Sequence, residues 1–483
     1  MLGLIIITLC AALPIKPQGP FDARDNRRLA GMRLTQSGWG VFIEPLTAPL
    51  HIVAGAPDLR VAGVAVLSWV ICGAAAWRVA LDRRTQASRP VALRALRAAV
   101  TGGGAGMVML YCVGFAGIVR VPGWRLVVDN PGALILDPHS HTVASHDGLV
   151  SGPENLDWHS AAGFNVVAIT EHNPPAGAFA TMDYARTALP PVPAVITGVE
   201  LSFNNRGVSL LGLGLRSDYR PLANSYAKDF PSQFTSYIHN DQHGAVIAMG
   251  YKLEREDVTL LADAGIDGFE LVNFGHPDVS NRIREKLVEV ATQRGLALVA
   301  VSDWHGWGGI SRTWTVMDHQ PIAGSPAEHP SDLAVRNLRE RHQGDIIPVV
   351  AGYIGPPSWW RVVLSPFVES LRYAAELSPA RVASWWIWSA LVLALSGGIS
   401  RVGLPPHKVL LAILLAVIGA GIAWAGMGLI AAGENKLSTS DFPARIGVYT
   451  LLVGTSAMLT AVWLGMTIRL DRVRTSGGNR TPR

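Results

Sequence analysis

Cysteine is nearly absent from this 483-residue chain. Cys10, Cys72 and Cys112 each lie inside an apolar run, which excludes a disulfide framework and a thiolate metal site. Charge is thin as well: 16% of residues are Asp, Glu, Lys or Arg against 49% hydrophobic, where a soluble domain carries about 25% charged residues. Membrane spans account for that imbalance, and the length leaves room beside them for one domain of about 200 to 250 residues. No Asp, Glu, Lys, Arg or His falls within 98–119, 409–432 or 446–468. That disfavours transport, because ion and substrate pathways need such groups. The net charge of +5 does not point to nucleic acid, since much of the arginine excess sits beside apolar runs, where it orients a membrane protein. Histidine is scarce at both ends: only His51 and His407 lie outside the interval His139 to His342, so the chemistry is expected in the middle.

The apolar runs frame the chain. Residues 2–13 are short and lack the basic lead-in of a signal peptide, so a marginal span and a misplaced start codon both fit. Residues 14–60 show no clear element. Spans are expected at about 61–81 and 98–119, joined by a loop with Arg83, Arg84, Arg89, Arg94 and Arg97 against Asp82. Three more are expected at about 382–399, 409–432 and 446–468, before a tail with Arg469, Arg472, Arg474, Arg480 and Arg483. The positive-inside rule makes that loop and tail cytoplasmic and places the central region outside, with Arg120, Arg125 and Arg381 standing against the rule. The expected division is a membrane region at 1–122, a central domain at 123–355, an interfacial segment at 356–381 and a second membrane region at 382–483. The interfacial segment is marked by Trp359, Trp360, Phe367, Leu371 and Tyr373, and the bilayer is the implied partner of all the flanking parts.

In the central region Asp137-Pro138-His139-Ser140-His141-Thr142 is followed by Ser145-His146-Asp147-Gly148. Residues i and i+2 of an extended chain project on one side, so His139 and His141 aim two imidazoles at one spot, as a metal needs. Such a pair also arises as satisfied core or surface histidines. Repetition raises its value: Ile169-Thr170-Glu171-His172, Gly198-Val199-Glu200 and Val301-Ser302-Asp303-Trp304-His305 each end an apolar run in a histidine or a carboxylate. These runs read as buried strands, at 165–170, 192–200, 207–215, 245–249, 267–273 and 296–302, with helices at 153–163 and 280–294 closed by Gly163 and Gly295. Strand and helix alternate, which makes the domain α/β with a parallel sheet or barrel. Chemistry gathers at strand ends in such folds, so four ends are expected to feed one pocket.

Those blocks, over about 220 residues from Asp137 to near Val350, resemble the PHP (polymerase and histidinol phosphatase) superfamily. The resemblance implies a distorted (β/α)7 barrel, flanked here by transmembrane helices, with up to three divalent metals at the strand ends and hydrolysis of phosphate esters by a metal-bound hydroxide. Carried over residue by residue, it implies metal ligands at His139, His141, Asp147, His172, Glu200, Asp303 and His305, with Asp137 orienting a ligand imidazole. Ser209 stands where the family usually has a histidine, and Met249 or Gly250 where it has another. Two metals are then expected, with a third site in doubt; Glu171 replaces a commoner aspartate. Imidazole and carboxylate without thiolate suit zinc, manganese or iron. His243 and His276 are candidate proton donors, and Arg206 and Arg312 candidate contacts to a phosphorylated substrate, each weighed against the plainer reading of a solvated loop residue. Two functions are compatible with these residues: a membrane-anchored, metal-dependent phosphoesterase, or a catalytically silent receptor domain of the same fold that binds a ligand or metal.

Overall fold

The computed structural model describes residues 2–13, 19–36, 38–54, 59–85, 90–118, 123–172, 175–203, 208–217, 230–251, 253–275, 279–309, 311–317, 328–340, 345–352, 360 and 363–477. Its strands are β1 (Pro20–Asp22), β2 (Met32–Gln36), β3 (Trp124–Val128), β4 (Leu134–Asp137), β5 (Val166–Glu171) and β6 (Ala194–Phe203). They continue with β7 (Val208–Leu213), β8 (Ala245–Ala248), β9 (Gly268–Asn273), β10 (Ala297–Val301), β11 (Thr313–Met317) and β12 (Ile346–Ala351). Ten of them form one sheet in the order β1-β12-β11-β4-β5-β6-β7-β8-β9-β10, while β2 and β3 pair by themselves.

The sheet is mixed. β4-β5-β6 and β8-β9-β10 run parallel, whereas β7 is antiparallel to both neighbours and β11, β12 and β1 are antiparallel additions beside β4. The residues between β6 and β7 are too few for a crossover, which takes a dozen or more, so that pair can only be a hairpin. Alternate strand residues face two sides. Leu136, Val166, Ala168, Ile196, Leu211, Ile247, Ala297 and Val299 share one cluster with Leu333 and Leu338 of the helix Pro330–Glu340. A single cluster that collects side chains from β4 round to β10 is the inner face of a curled sheet. Val246, Phe269 and Leu298 face the other way, among helices such as Asn281–Arg294. The curl brings the ends together: the Thr313 and Thr315 hydroxyls donate to the Val301 and Ala300 carbonyls, 2.8 and 2.9 Å away.

Local signals set the helix ends that matter. The helix Gly152–Ala162 starts on a capping box between Ser151 and Glu154 and stops at Gly163, whose φ is 93°, a cap of the kind worth about 1 kcal/mol. Asn281–Arg294 starts on Ser280 and ends at Gly295, with φ 66°.

Residues 14–60, where no element is expected, supply β1 at the sheet edge, β2 against β3, and the helix Glu44–Ala54. A three-residue strand has no periodicity to read, and its place comes from pairing with β12 at the far end of the domain.

Among the described residues, five helices are long and apolar enough to cross a membrane: Gly63–Arg84, Val91–Phe115, Pro379–Arg401, Pro406–Gly433 and Phe442–Leu470. The 10-residue helix Leu2–Ala11 is shorter than the roughly 20 residues a span needs, and its Ile7 and Ala11 pack against Tyr373 and Leu377. The last two spans meet along glycines: a Cβ on Gly426 would fall 2.7 Å from the Leu451 nitrogen, so only glycine lets the backbones approach this closely. In the expected interfacial segment Phe367 and Leu371 are exposed while Tyr373 is buried; Trp359 lies outside the described residues. Arg381 is no free charge at the bilayer edge. It is buried against Glu44, which also accepts from the Tyr373 hydroxyl at 2.8 Å.

Candidate metal centre

The C-terminal ends of the parallel strands converge on one group of side chains. His139 and His141 follow β4, and this exit lies alongside the exit of β10: the Asp303 amide donates to the His139 carbonyl and the His141 amide to that of Trp304, both at 3.0 Å. Asp303 has a φ of 50°, a left-handed conformation that costs an L side chain roughly 1–3 kcal/mol and clusters at functional sites. Glu200 projects from β6 and His172 follows β5, while Asp147 comes from the turn after His141. That turn closes on Gly148, where a Cβ would fall 1.8 Å from the Thr142 carbonyl oxygen.

His139 Nε2 lies 2.9 Å from His141 Nε2, 3.0 Å from Glu200 Oε2 and 3.3 Å from Asp303 Oδ1. His141 Nε2 lies 3.4 Å from the same Glu200 oxygen and 3.3 Å from the same Asp303 oxygen. Alongside, His172 Nδ1 is 3.4 Å from Glu200 Oε2 and its Nε2 3.6 Å from Asp147 Oδ1, while His305 Nε2 is 3.4 Å from Asp147 Oδ2. Glu200 therefore borders both groups. Tetrahedral donors about 2.0–2.1 Å from a zinc ion stand about 3.3–3.4 Å from one another, so these separations fit a divalent cation. The donor set fits too, because buried carboxylates need cationic partners and imidazoles supply lone pairs.

A second layer aims the rings. Glu270 on β9, with 1% of its surface exposed, accepts from His139 Nδ1 at 2.6 Å, leaving the Nε2 lone pair toward the centre. Asn273 ties Glu270 to Asp303, with its amide 3.1 Å from each carboxylate. The Ser145 hydroxyl donates to Glu171 at 2.5 Å, so it is left to accept from His141 Nδ1 at 3.0 Å, which sets that ring the same way round. Glu171 also takes the Thr142 hydroxyl at 2.5 Å and so braces the turn from inside.

Asp137 does not orient a ligand imidazole. It accepts from His159 Nε2 at 2.9 Å, from the Ser302 hydroxyl and amide, and from the His139 amide at 3.3 Å, so it holds the two strand exits together through their backbone.

The fields at the centre are strong. Burial alone would lower His139, but Asp303, Glu270 and Glu200 raise it well above the ordinary imidazole value. His141 is likewise pushed up to about 9 against burial, by Asp303 and Glu200. Burial and the neighbouring His141 bring His172 down to about 4. Burial opposes ionisation of Asp147, Asp303 and Glu200, yet the surrounding imidazoles hold all three well below the carboxylate range. Glu270 is raised by burial. The carboxylates of the cluster favour positive charge at His139 and His141.

The seven expected ligand positions, His139, His141, Asp147, His172, Glu200, Asp303 and His305, come to one place. The other candidates do not join them. His243 precedes β8, at the opposite end of the sheet from the cluster, and lines a separate cavity of about 840 Å³ with Arg216 and Arg336. Arg312 donates to the Ala351 carbonyl at 2.8 Å and stands beside Gly352. Arg206 and His276 lie outside the described residues. At the doubtful third site the Ser209 hydroxyl is 3.0 Å from that of Ser202, Met249 is buried, and a Cβ on Gly250 would meet the Glu270 carbonyl at 2.3 Å. Glu270 escapes sequence reading because it sits mid-strand; a lone carboxylate inside the apolar run Phe269–Val272 is the one local signal it leaves.

The membrane part touches this site. Between the last two spans, Thr439 donates through its hydroxyl to the Ala144 carbonyl at 2.8 Å and Ser440 to that of His146 at 2.5 Å.

No family model matches the chain, and a search of curated proteins finds no match. Among solved structures the chain is similar to a Bifidobacterium adolescentis protein named as a metal-dependent phosphoesterase, with 14% identity, TM-score 0.30, and 42% of this chain and 96% of that one covered. It is also similar to a Chromobacterium violaceum amidohydrolase (16%, TM-score 0.30, 45% and 98% covered) and to PsfC from Pseudomonas syringae (12%, TM-score 0.32, 51% and 99%). Likeness at these scores carries no functional weight; the side chains at the centre do.

Proposed function

We propose that the chain is a membrane-anchored, metal-dependent phosphoesterase of the PHP type. The observation that carries the reading is the convergence of seven imidazole and carboxylate side chains with ligand atoms 2.9 to 3.6 Å apart. His139, His141, Glu200 and Asp303 would hold one divalent ion, and Asp147, His172 and His305, with Glu200 between, a second. Such ions supply Lewis acidity toward phosphoryl oxygens and acidify the water they contact. The chain's own work is positional: Glu270 and Ser145 fix two rings, and the turn on Gly148 presents Asp147. His139 and His141 are wholly buried, whereas the side chains of Asp147, His172 and His305 are 37%, 23% and 18% exposed, so a phosphate ester approaches from the second group. The same reading takes the curled sheet as a distorted (β/α)7 barrel with antiparallel insertions.

The contacts of Thr439 and Ser440 with the site turn support a topology in which the loop before the last span and the catalytic domain lie on one side of the bilayer. Arg83, Arg84 and Arg401 fall at the other ends of their helices, and the positive-inside rule then favours a cytoplasmic face there and an external domain.

Full-length protein with manganese or zinc should hydrolyse members of a phosphomonoester and phosphodiester panel and lose that activity in His139→Ala; an inactive panel removes the proposal. The silent-receptor reading draws on Ser209 and Met249, and metal content separates the two. Retained ligands hold one or two ions per chain through dialysis, whereas a silent domain can be empty.

A further inference from the structure

We infer that the substrate is a membrane amphiphile: a long-chain phosphate ester whose apolar chain lies between two of the span helices while its headgroup reaches the metal centre. This rests on the phosphoesterase reading above. A cavity of about 550 Å³ runs between Phe115 and Ile118 of one candidate span and Val417, Gly421, Trp424 and Gly428 of another. Its remaining wall belongs to the catalytic domain, through Leu149, Gly306 and Trp307. Those residues adjoin the ligand positions: Gly306 follows His305, and Leu149 lies two residues after Asp147 and donates its amide to the His305 carbonyl at 2.8 Å.

The junction is bonded. Gly308 donates to the Gly117 carbonyl at 2.7 Å and Gly123 to that of Gly309 at 2.9 Å. The cavity wall at Leu149 and Gly306 therefore lies within two residues of Asp147 and His305, both in the more accessible part of the centre.

The wall discriminates by chemistry. Glu154 alone among its lining residues is charged, and its carboxylate is engaged in the cap with Ser151. A sugar phosphate or nucleotide gains little from such a wall, while an alkyl chain gains about 25 cal/mol for each Å² removed from water. From Val417 to Leu429 the cavity follows the helix for about 18 Å at 1.5 Å per residue. Trp424 and Trp307 are 75% and 46% exposed and add two indole faces to the wall. In the reaction a water oxygen bonds to phosphorus as the bond to the lipid oxygen breaks. That oxygen takes a proton, leaving an alcohol in the membrane and a free phosphate.

The test uses the full chain in lipid nanodiscs with manganese, and a non-hydrolysable phosphonate analogue of phosphatidic acid carrying a diazirine on the distal half of one acyl chain. Photolabel should concentrate on peptides containing Phe115–Ile118 and Val417–Leu429, while a diacylglycerol with the same diazirine should not concentrate there. A Cβ on Gly428 meets no atom within 4 Å, so Gly428→Leu fills the open space and should cut the label about tenfold, the equivalent of about 1.4 kcal/mol. Gly398→Leu, equally unobstructed on another span, should leave it unchanged. If Gly428→Leu does not fold, Trp307→Ala serves, since Trp307 holds Trp304 only through its backbone carbonyl; it should also lose label. Label spread evenly over the lipid-facing helices, equal concentration of the diacylglycerol, or label indifferent to these substitutions overturns the inference. Labelling needs no turnover, so with bound metal confirmed by elemental analysis its failure leaves the hydrolase reading to the ester panel.

Discussion

Glu270 offers the sharpest perturbation, because it acts on the centre mainly by aiming His139 through one hydrogen bond. Its carboxylate is buried, lies 2.6 Å from His139 Nδ1 and accepts from Asn273 at 3.1 Å. In Glu270→Gln the amide oxygen can still accept from Nδ1, but the charge-assisted bond becomes a neutral one of about half the strength. In Glu270→Ala His139 Nδ1 loses its acceptor and the ring is free to turn, while Asn273 still donates to Asp303. Removing such a partner typically costs 10- to 100-fold in metal affinity, or about 1.4 to 2.7 kcal/mol. The alanine variant should fall toward the upper end of that range and the glutamine variant toward the lower. Competition with a chromophoric chelator reads the dissociation constant directly, and a thermal melt without metal checks that the fold survives. Metal affinity equal to the parent's in both variants would refute the assignment of Glu270 as the residue that aims His139.

Other outcomes are set by the same geometry. Ser145→Ala breaks the path from Glu171 to His141 Nδ1 and should weaken metal binding about tenfold; rescue by Ser145→Thr would separate loss of the hydroxyl from loss of packing. Gly148→Ala drives a methyl into the Thr142 carbonyl and should abolish tight binding or lower the melting temperature by several degrees; a variant with parent-like binding and stability contradicts the turn as described. The junction cluster carries a pH signature. Burial would raise Glu44, but His51 and Arg381 hold it down to about 2 from an ordinary 4.5. A carboxylate lowered on folding contributes stability above 4.5 that disappears as pH falls from 4.5 toward 2, here about 3 kcal/mol in full. Glu44→Gln should flatten the acid limb of a melting-temperature profile, and an unchanged limb argues against the pair.

The strand ends were legible because a buried run that stops at a histidine or a carboxylate carries both its structure and its chemistry locally. His139, His141 and Asp303 are of that kind. Asp137 was misread because its real partners, His159 and Ser302, lie 22 and 165 positions away, and a carboxylate beside a histidine pair does not announce whether it faces ring or backbone. The hairpin of β6 and β7 was opaque for another reason: a strand buried on both faces has the same composition whether its neighbours run parallel or antiparallel. β1 and β2 draw their stability from distant pairing, and their own residues show no period. The candidate spans were read to within four residues at every end but one, the second starting at Val91 rather than 98, since length and the absence of charge are all they require.

Metal content tests the central claim most directly. Full-length protein purified without chelator and dialysed should carry one or two divalent ions per chain by elemental analysis, and Asp303→Ala with His139→Ala should carry fewer. Parent protein that stays empty after incubation with zinc, manganese or iron, or a double variant that retains the full complement, would contradict it.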